Sequence, residues 1–231
     1  MQPAELIDLW EQGAGRSSVE RGGILAGKPP DAPVGTRNAA LLSLRERLFG
    51  PSIEALACCP ACGTWVEFSF DAGLVGHRPD EDFGSIEFEL AEGRYRIDYR
   101  LPTSLDLAFI MRFANEAEAA AALAARCVLR TERNGEEVPA IPEDAVDRLG
   151  EHLNEVDPGS APSIRLSCSD CGHEWSALFD VEPFVWRELS LAAKAVLGDV
   201  HQLAQAYGWT ESEVLSLSPA RRRVYLEMVR G

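Results

Sequence analysis

The cysteines carry the chemistry that this sequence offers. They are Cys58, Cys59, Cys62, Cys127, Cys168 and Cys171. Four of them form two C-x-x-C pairs, Cys59/Cys62 and Cys168/Cys171, and each pair is followed at once by glycine, Gly63 or Gly172. Two thiolates three positions apart on a tight turn can point at one ion, and the glycine relieves the turn through a positive φ. Two such turns complete a tetrahedral shell of four cysteine thiolates, which suits Zn2+. In a reducing compartment, paired C-x-x-C motifs point to a metal before a disulfide. The predicted ligands are therefore Cys59, Cys62, Cys168 and Cys171. The zinc is expected to be structural, because thiolate coordination is coupled to folding.

Other uses of these residues fit less well. A thioredoxin-type redox pair opens a helix in a βαβ setting, whereas both pairs here sit in turns that lead into strand-like sequence. A catalytic zinc keeps an open position, usually with histidine or carboxylate in its shell, and a full four-cysteine shell leaves none. His173 follows Cys171 closely enough to compete as a ligand, although a solvent-facing turn histidine is the simpler reading. Cys58 adjoins the first pair and could replace Cys59, but its place before Cys59-Pro60 marks the end of an incoming strand. Cys127 lies in an alanine-rich helical stretch and reads as a small core residue.

The two pairs head a short internal repeat. Phe70-Asp71 lies eight and nine residues after Cys62, and Phe179-Asp180 lies at the same offsets from Cys171. Each pair is followed by a tryptophan, Trp65 or Trp175, inside a strand-like segment. Two knuckles with strands predict a zinc ribbon of pseudo-twofold character. The 105 residues between Cys62 and Cys168 then require an insertion folded between the halves of the site.

The elements that must position this site are legible around it. Residues 3–12 predict a short helix with Leu6, Leu9 and Trp10 on one face and Pro3 at its start. Residues 13–37 are rich in Gly and Pro and read as a loop or arm, with one helical turn near Val19. Asn38 caps a helix to about Leu48, and Gly50-Pro51 stops it. Within the insertion, Ile86, Phe88 and Leu90 alternate with polar residues, as do Tyr95, Ile97, Tyr99 and Leu101. Ala91-Glu92-Gly93 joins them as a hairpin. Thr103 and Asp106 form a capping-box-like start for a helix to about Phe113. Further helices are predicted over 116–130 and from Pro142 to Val156, with a turn at Asn134-Gly135. Residues 132–157 hold nine acids and two arginines, the pattern of a solvated helical face. The C-terminal part reads as all helix. Val185, Leu189, Ala193, Val196, Val200, Leu203 and Tyr207 form an apolar stripe suited to a partner helix or to the core. Gly208-Trp209 breaks it. Thr210 and Glu213 cap a short helix, and Ser218-Pro219 begins a last one containing Arg221, Arg222, Arg223 and Tyr225.

The fold class expected is α+β. A split ribbon (51–75 and 163–182) carries a hairpin-plus-helices insertion (84–157). It is flanked by N-terminal helices and arm (1–50) and by a C-terminal helical segment (183–231).

Charge narrows the function classes. The chain has 231 residues and a formal net charge of −15, with a pI near 4.7. A duplex nucleic-acid binder needs cations to displace phosphate counterions, and docking on an anionic membrane needs them too. The three contiguous arginines spread around their helix and form no groove-facing row, so contact with an acidic protein surface fits them better. No apolar run is long enough to span a bilayer, and the acidic N-terminus lacks a signal-peptide pattern, so synthesis in the cytoplasm is expected. No G-x-S-x-G, P-loop, G-x-G-x-x-G or H-E-x-x-H motif occurs. His77, His152, His173 and His201 make no constellation, and no catalysis is expected.

Several segments occur together in a familiar order. They are Arg100-Leu101-Pro102-Thr103-Ser104-Leu105-Asp106-Leu107, Leu123-x-x-x-Cys127-Val128, and Cys168-x-x-Cys171 followed by Phe179-Asp180. Over roughly residues 52–190 this order resembles the T-even-type phage baseplate hub and assembly family, whose relatives sit in contractile phage tails and contractile injection systems. Leu203–Val214, with Arg222-Arg223-x-Tyr225-Leu226 after it, is similar to short modules of phage-tail assembly proteins. The resemblance implies a chaperone or minor component that helps build a baseplate. It implies baseplate, spike or tube subunits as partners, incorporation into a tail-like particle, and no catalysis. The helical residues expected to meet such partners are Val185, Leu189, Val196, Val200, Leu203, Trp209 and Tyr225. A zinc-ribbon adaptor or regulatory protein acting through protein contacts is the competing expectation.

Overall fold

The computed structural model describes residues 3–76 and 79–230; His77 lies outside them. Three helices open the chain: α1 (Pro3–Gly13), α2 (Ser18–Ala26) and α3 (Val34–Phe49). A hairpin of β1 (Ser52–Cys58) and β2 (Trp65–Asp71) follows, paired antiparallel from Ser52↔Asp71 to Cys58↔Trp65. The insertion holds β3 (Phe83–Leu90), β4 (Gly93–Arg100), α4 (Ser104–Ile110), α5 (Glu116–Cys127), β5 (Val128–Arg133), β6 (Glu136–Glu137) and α6 (Glu143–Val156). Its strands form an antiparallel sheet in the order β3-β4-β5-β6. A second hairpin, β7 (Ser163–Ser167) and β8 (Glu174–Leu178), precedes α7 (Val181–Tyr207), α8 (Glu211–Ser216) and α9 (Pro219–Arg230). The expected mixture of helices and small sheets is present.

The region read as an arm holds the whole of α2 and the start of α3. Ser17 and Glu20 form a reciprocal capping box that starts α2, and Gly27, at φ 60°, ends it. The glycines that read as loop are packing positions. A Cβ on Gly22 would stand 3.2 Å from Glu182 Cγ, and one on Gly23 would stand 2.9 Å from the Lys28 carbonyl. Helix α3 begins at Val34, four residues before Asn38. Its N-terminal Gly35 N–H donates to Asp157 Oδ2 at 3.1 Å, so a carboxylate from a loop 122 residues away does the capping. Asn38 lies inside the helix, and its amide donates to the Gly159 carbonyl at 2.9 Å. The helix predicted over 116–130 is, by contrast, shorter than expected. It ends at Cys127, and Val128–Arg133 pair with β4. β-Branched Val128 and Thr131 favour that outcome.

Three buried clusters hold these elements together. The first joins Leu25 of α2, Leu41, Leu42 and Leu44 of α3, Ile53 of β1, and Val181, Phe184, Val185 and Leu189 of α7, with Leu6, Leu9 and Trp10 of α1 against it. The second joins Tyr99, Leu101, Ala124, Cys127, Leu149 and Leu153 within the insertion. The third joins Val200 and Leu203 of α7 to Val214 and Leu226 of α8 and α9. The predicted partner stripe is therefore spent internally. Val185, Leu189, Val196, Val200 and Leu203 are all buried, and this corrects the expectation that they face another subunit. A 27-residue helix with one apolar stripe met enough apolar surface on α1, α3, α8 and α9 to bury it within the chain. Trp209 and Tyr225 are half-buried and pack edge-to-face at 4.9 Å, with Tyr207 stacked on Trp209 at 4.7 Å. Arg222 meets Asp199 of α7 at 3.1 Å, so the acidic surface it contacts is the chain's own.

Candidate metal centre

The hairpins β1–β2 and β7–β8 present their turns to one another, and each turn is built the same way. In the first, Cys59 N–H donates to the Thr64 carbonyl at 2.8 Å and Gly63 N–H to the Cys59 carbonyl at 2.9 Å. In the second, Cys168 N–H donates to the His173 carbonyl and Gly172 N–H to the Cys168 carbonyl, both at 2.9 Å. Gly63 and Gly172 have φ of 77° and 71°, which the turn requires and an L side chain resists. Thr64 Oγ1 donates to Asp170 Oδ2 at 2.9 Å, tying one turn to the other. The repeat continues inward, where Phe70 and Phe179 meet edge-to-face at 5.1 Å.

This arrangement brings together the four sulfurs predicted from sequence. Cys59, Cys62, Cys168 and Cys171 place their Sγ atoms within 4.8 Å of one another. Across the two turns, Cys59 and Cys171 are 3.7 Å apart, and Cys62 and Cys168 are 3.6 Å apart. A disulfide needs about 2.05 Å. A tetrahedral ion with metal–sulfur bonds of about 2.3 Å separates its sulfurs by about 3.8 Å. The cluster is therefore a set of free thiols with the dimensions of a four-sulfur metal site. Cys59 and Cys168 are buried, while Cys62 and Cys171 are exposed.

Electrostatics differ around the cluster. Hydrogen bonds with Thr64, its side chain first, bring the Cys62 thiol down to about 6. The His173 backbone N–H favours a thiolate at Cys171, but Cys62, burial, Cys168 and Cys59 together push it up to about 12. A thiolate is thus favoured at Cys62 and opposed at Cys171 by its neighbours. A divalent cation at the centre reverses that opposition.

The competing ligands stay out. His173 is exposed and stacks on Trp175, 6.1 Å between ring centroids. Cys58 ends β1 as expected, with its Sγ 3.4 Å from the Gly63 carbonyl. Cys127 is fully buried in the second cluster, and burial pushes its thiol up to about 11. His152 meets the Tyr99 hydroxyl at 2.8 Å beneath the insertion's sheet.

Sequence reasoning missed one polar centre. Asp106 is buried and accepts from both Arg100 terminal nitrogens at 2.6 and 3.0 Å, from Arg126 Nε at 2.6 Å, and from Thr103 N–H and Oγ1 at 2.9 and 2.7 Å. Burial opposes its charge, yet hydrogen bonds from Arg100, Thr103 and Arg126 hold its carboxyl well below the usual carboxylate range. The capping-box spacing of Thr103 and Asp106 was readable, but the convergence of two arginines was not. The segment from Arg100 to Asp106 thus acts as a staple. It anchors α4, and the Pro102 carbonyl accepts the Val34 N–H at 2.9 Å, joining the insertion to α3.

Among the described residues no helix is long and apolar enough to cross a membrane. No curated protein and no solved structure matches the chain. Residues 24–186, which include both knuckles, the Asp106 staple and helix α3, match the model of the family described as T4 bacteriophage base plate protein. That match covers more than two-thirds of the sequence, and the chain belongs to this family.

Proposed function

We propose that this chain is a structural and assembly component of the baseplate of a contractile tail-like particle, and that Zn2+ held by Cys59, Cys62, Cys168 and Cys171 is its structural clamp. The convergence of four sulfurs from two hairpins carries the metal reading. Zinc is the ion of choice because it takes four thiolates without redox change or an open coordination position. Bound there, it supplies folding energy and no catalysis. It ties Cys62 to Cys168 across the whole insertion.

Family membership favours assembly over a regulatory adaptor. The partners in this proposal are baseplate, spike or tube subunits, met through protein surfaces. The chain acts without nucleic acid or membrane, in keeping with its charge of −15. The test is affinity purification of the tagged full-length chain from cells making the particle, with mass spectrometry of the eluate and of the sedimented particle fraction. Baseplate, spike or tube subunits enriched with the chain are the expected result. Enrichment of polymerase or regulator subunits instead would overturn the assembly role and promote the adaptor reading.

A further inference from the structure

We infer that the free edge of β3 is a strand-addition site for an extended, basic segment of a partner subunit. The inference rests on the assembly role proposed above and names the surface that serves it. β3 is eight residues long and has a neighbouring strand on one side only. Arg94 N–H donates to Asn134 Oδ1 at 2.9 Å, and the Arg94 carbonyl accepts the Asn134 N–H at 2.8 Å, so the Arg94 main chain faces the β5 side. Successive residues of a strand between two antiparallel neighbours face them in turn. Tyr95, Ile97 and Tyr99 therefore face β3, where they pair with Phe88, Ile86 and Gly84. The main chains of Phe83, Ser85, Glu87 and Glu89 then point away from β4, and among the described residues no hydrogen bond reaches their N–H or carbonyl groups. Such an edge is a template for another strand. A helix could not satisfy it, because its own backbone groups are already paired.

Most of the usual protections of an edge are missing here. β3 holds no proline and no inward-facing charge, and its register with β4 has no bulge. The sheet's opposite edge, β6, is only two residues long, which is one way an edge is blunted. The apolar layer of the sheet is also incomplete at β3. Tyr95, Ile97 and Tyr99 of β4 are buried, whereas Ile86, Phe88 and Leu90, on the same face, are half-buried. A further strand with apolar residues at alternate positions completes that layer.

Charge sets the other alternate positions of the occupant. Glu87 and Glu89 stand on the exposed face of β3, and Asp80, Glu81 and Asp82 immediately precede it. α6, which packs against β3, adds five acids against Arg148. The arginines of β4 are already committed, Arg94 and Arg96 to Glu87 and Asp98, and Arg100 to Asp106. Asp80, Glu81, Asp82 and Glu89 have no ion-pair partner among the described residues. The excess is acidic, so the fitting strand carries Lys or Arg on its exposed face. A second copy of β3 fits poorly. Paired antiparallel about Ile86 it sets Glu87 diagonal to Glu87, and paired about Glu87 it sets the two directly opposite.

The experiment places the photo-crosslinker p-benzoylphenylalanine at Phe83, which is 61% exposed, in the full-length chain and in cells making the particle. Crosslinked peptides are mapped by mass spectrometry. The expected product is a segment of another particle subunit in which apolar residues alternate with Lys or Arg. Ser85→Pro removes one outward N–H and no bond to β4, so it should lower the yield about tenfold, while Ser85→Thr should keep it. Glu89→Lys should lower it about fivefold, and changing the identified base to Glu should restore it. Circular dichroism melts check that the variants fold, and Glu89, exposed and unpaired, carries the test if the proline variant does not. Crosslinks to a second copy or to an acidic segment, or none in a particle fraction that contains the chain, would overturn the inference. So would a yield indifferent to folded Ser85→Pro or to Glu89→Lys. Absence of the chain from the particle fraction counts instead against the assembly role, so the two failures are distinguishable.

Discussion

Removing the metal should lower the melting temperature by an amount the site itself sets. The four sulfurs link Cys62 to Cys168, 106 positions apart, and the unfolded chain offers no preformed site. Zinc held in the proposed clamp would stabilise by mass action, about 4.1 kcal/mol when free metal is about 1,000 times Kd. For a chain of this size each kcal/mol shifts Tm by about 2–4 °C, so a strong chelator should lower Tm by about 8–16 °C. Cys168→Ser removes a buried ligand and should start near the chelated value, with no further response to chelator. Cys127→Ser puts a hydroxyl into an apolar cluster, at a cost of about 1–3 kcal/mol, and should keep the full chelator response from a lower start. The assay is differential scanning fluorimetry of the three proteins under reducing conditions, with and without chelator. A wild-type melt indifferent to chelator, or a Cys168→Ser protein that still responds, would refute the reasoning.

Other perturbations test the rest of the fold. Asp106→Asn leaves Arg100 and Arg126 without their carboxylate. Those arginines keep 26% and 36% side-chain exposure, so the cost should be about 2–3 kcal/mol in urea denaturation, below the roughly 3–5 kcal/mol of a fully buried pair. Because the Asp106 carboxyl is held low in the fold, its contribution should be present at neutral pH and fade as pH falls below the usual carboxylate range. Asp157 behaves in the opposite sense. Burial raises its carboxyl, against hydrogen bonds from Gly35 and Ser160, so the stability of the wild type relative to Asp157→Asn should fall as pH rises above the ordinary aspartate value. A difference that grows in favour of the wild type with pH would contradict this. Gly35→Ala places a Cβ 1.7 Å from Asp157 Oδ1, so it should cost about 1–3 kcal/mol by displacing the carboxylate, as chemical denaturation would report.

What was legible in the sequence followed local rules. The cysteine quartet, its glycines and the Phe-Asp repeat are short-range patterns; the structure places the cysteines and glycines in matching turns and brings Phe70 and Phe179 into contact behind them. The β3–β4 hairpin, α4 and α6 likewise follow from alternation, proline and capping signals. What stayed hidden depended on distant partners. Gly22 looks like loop until Glu182 is packed against it. The cap of α3 comes from Asp157, which no local pattern links to Gly35. The stripe on α7 has the same periodicity whether it meets its own core or another subunit, and only the placement of α1, α3, α8 and α9 decides the matter.

The most direct test of the metal clamp is zinc K-edge X-ray absorption on the full-length protein purified under reducing conditions, with metal content measured on the same sample. One zinc per chain and a single shell of four sulfurs at about 2.3 Å is the predicted result. A shell containing nitrogen or oxygen, or protein that folds fully with no bound metal, would contradict the clamp.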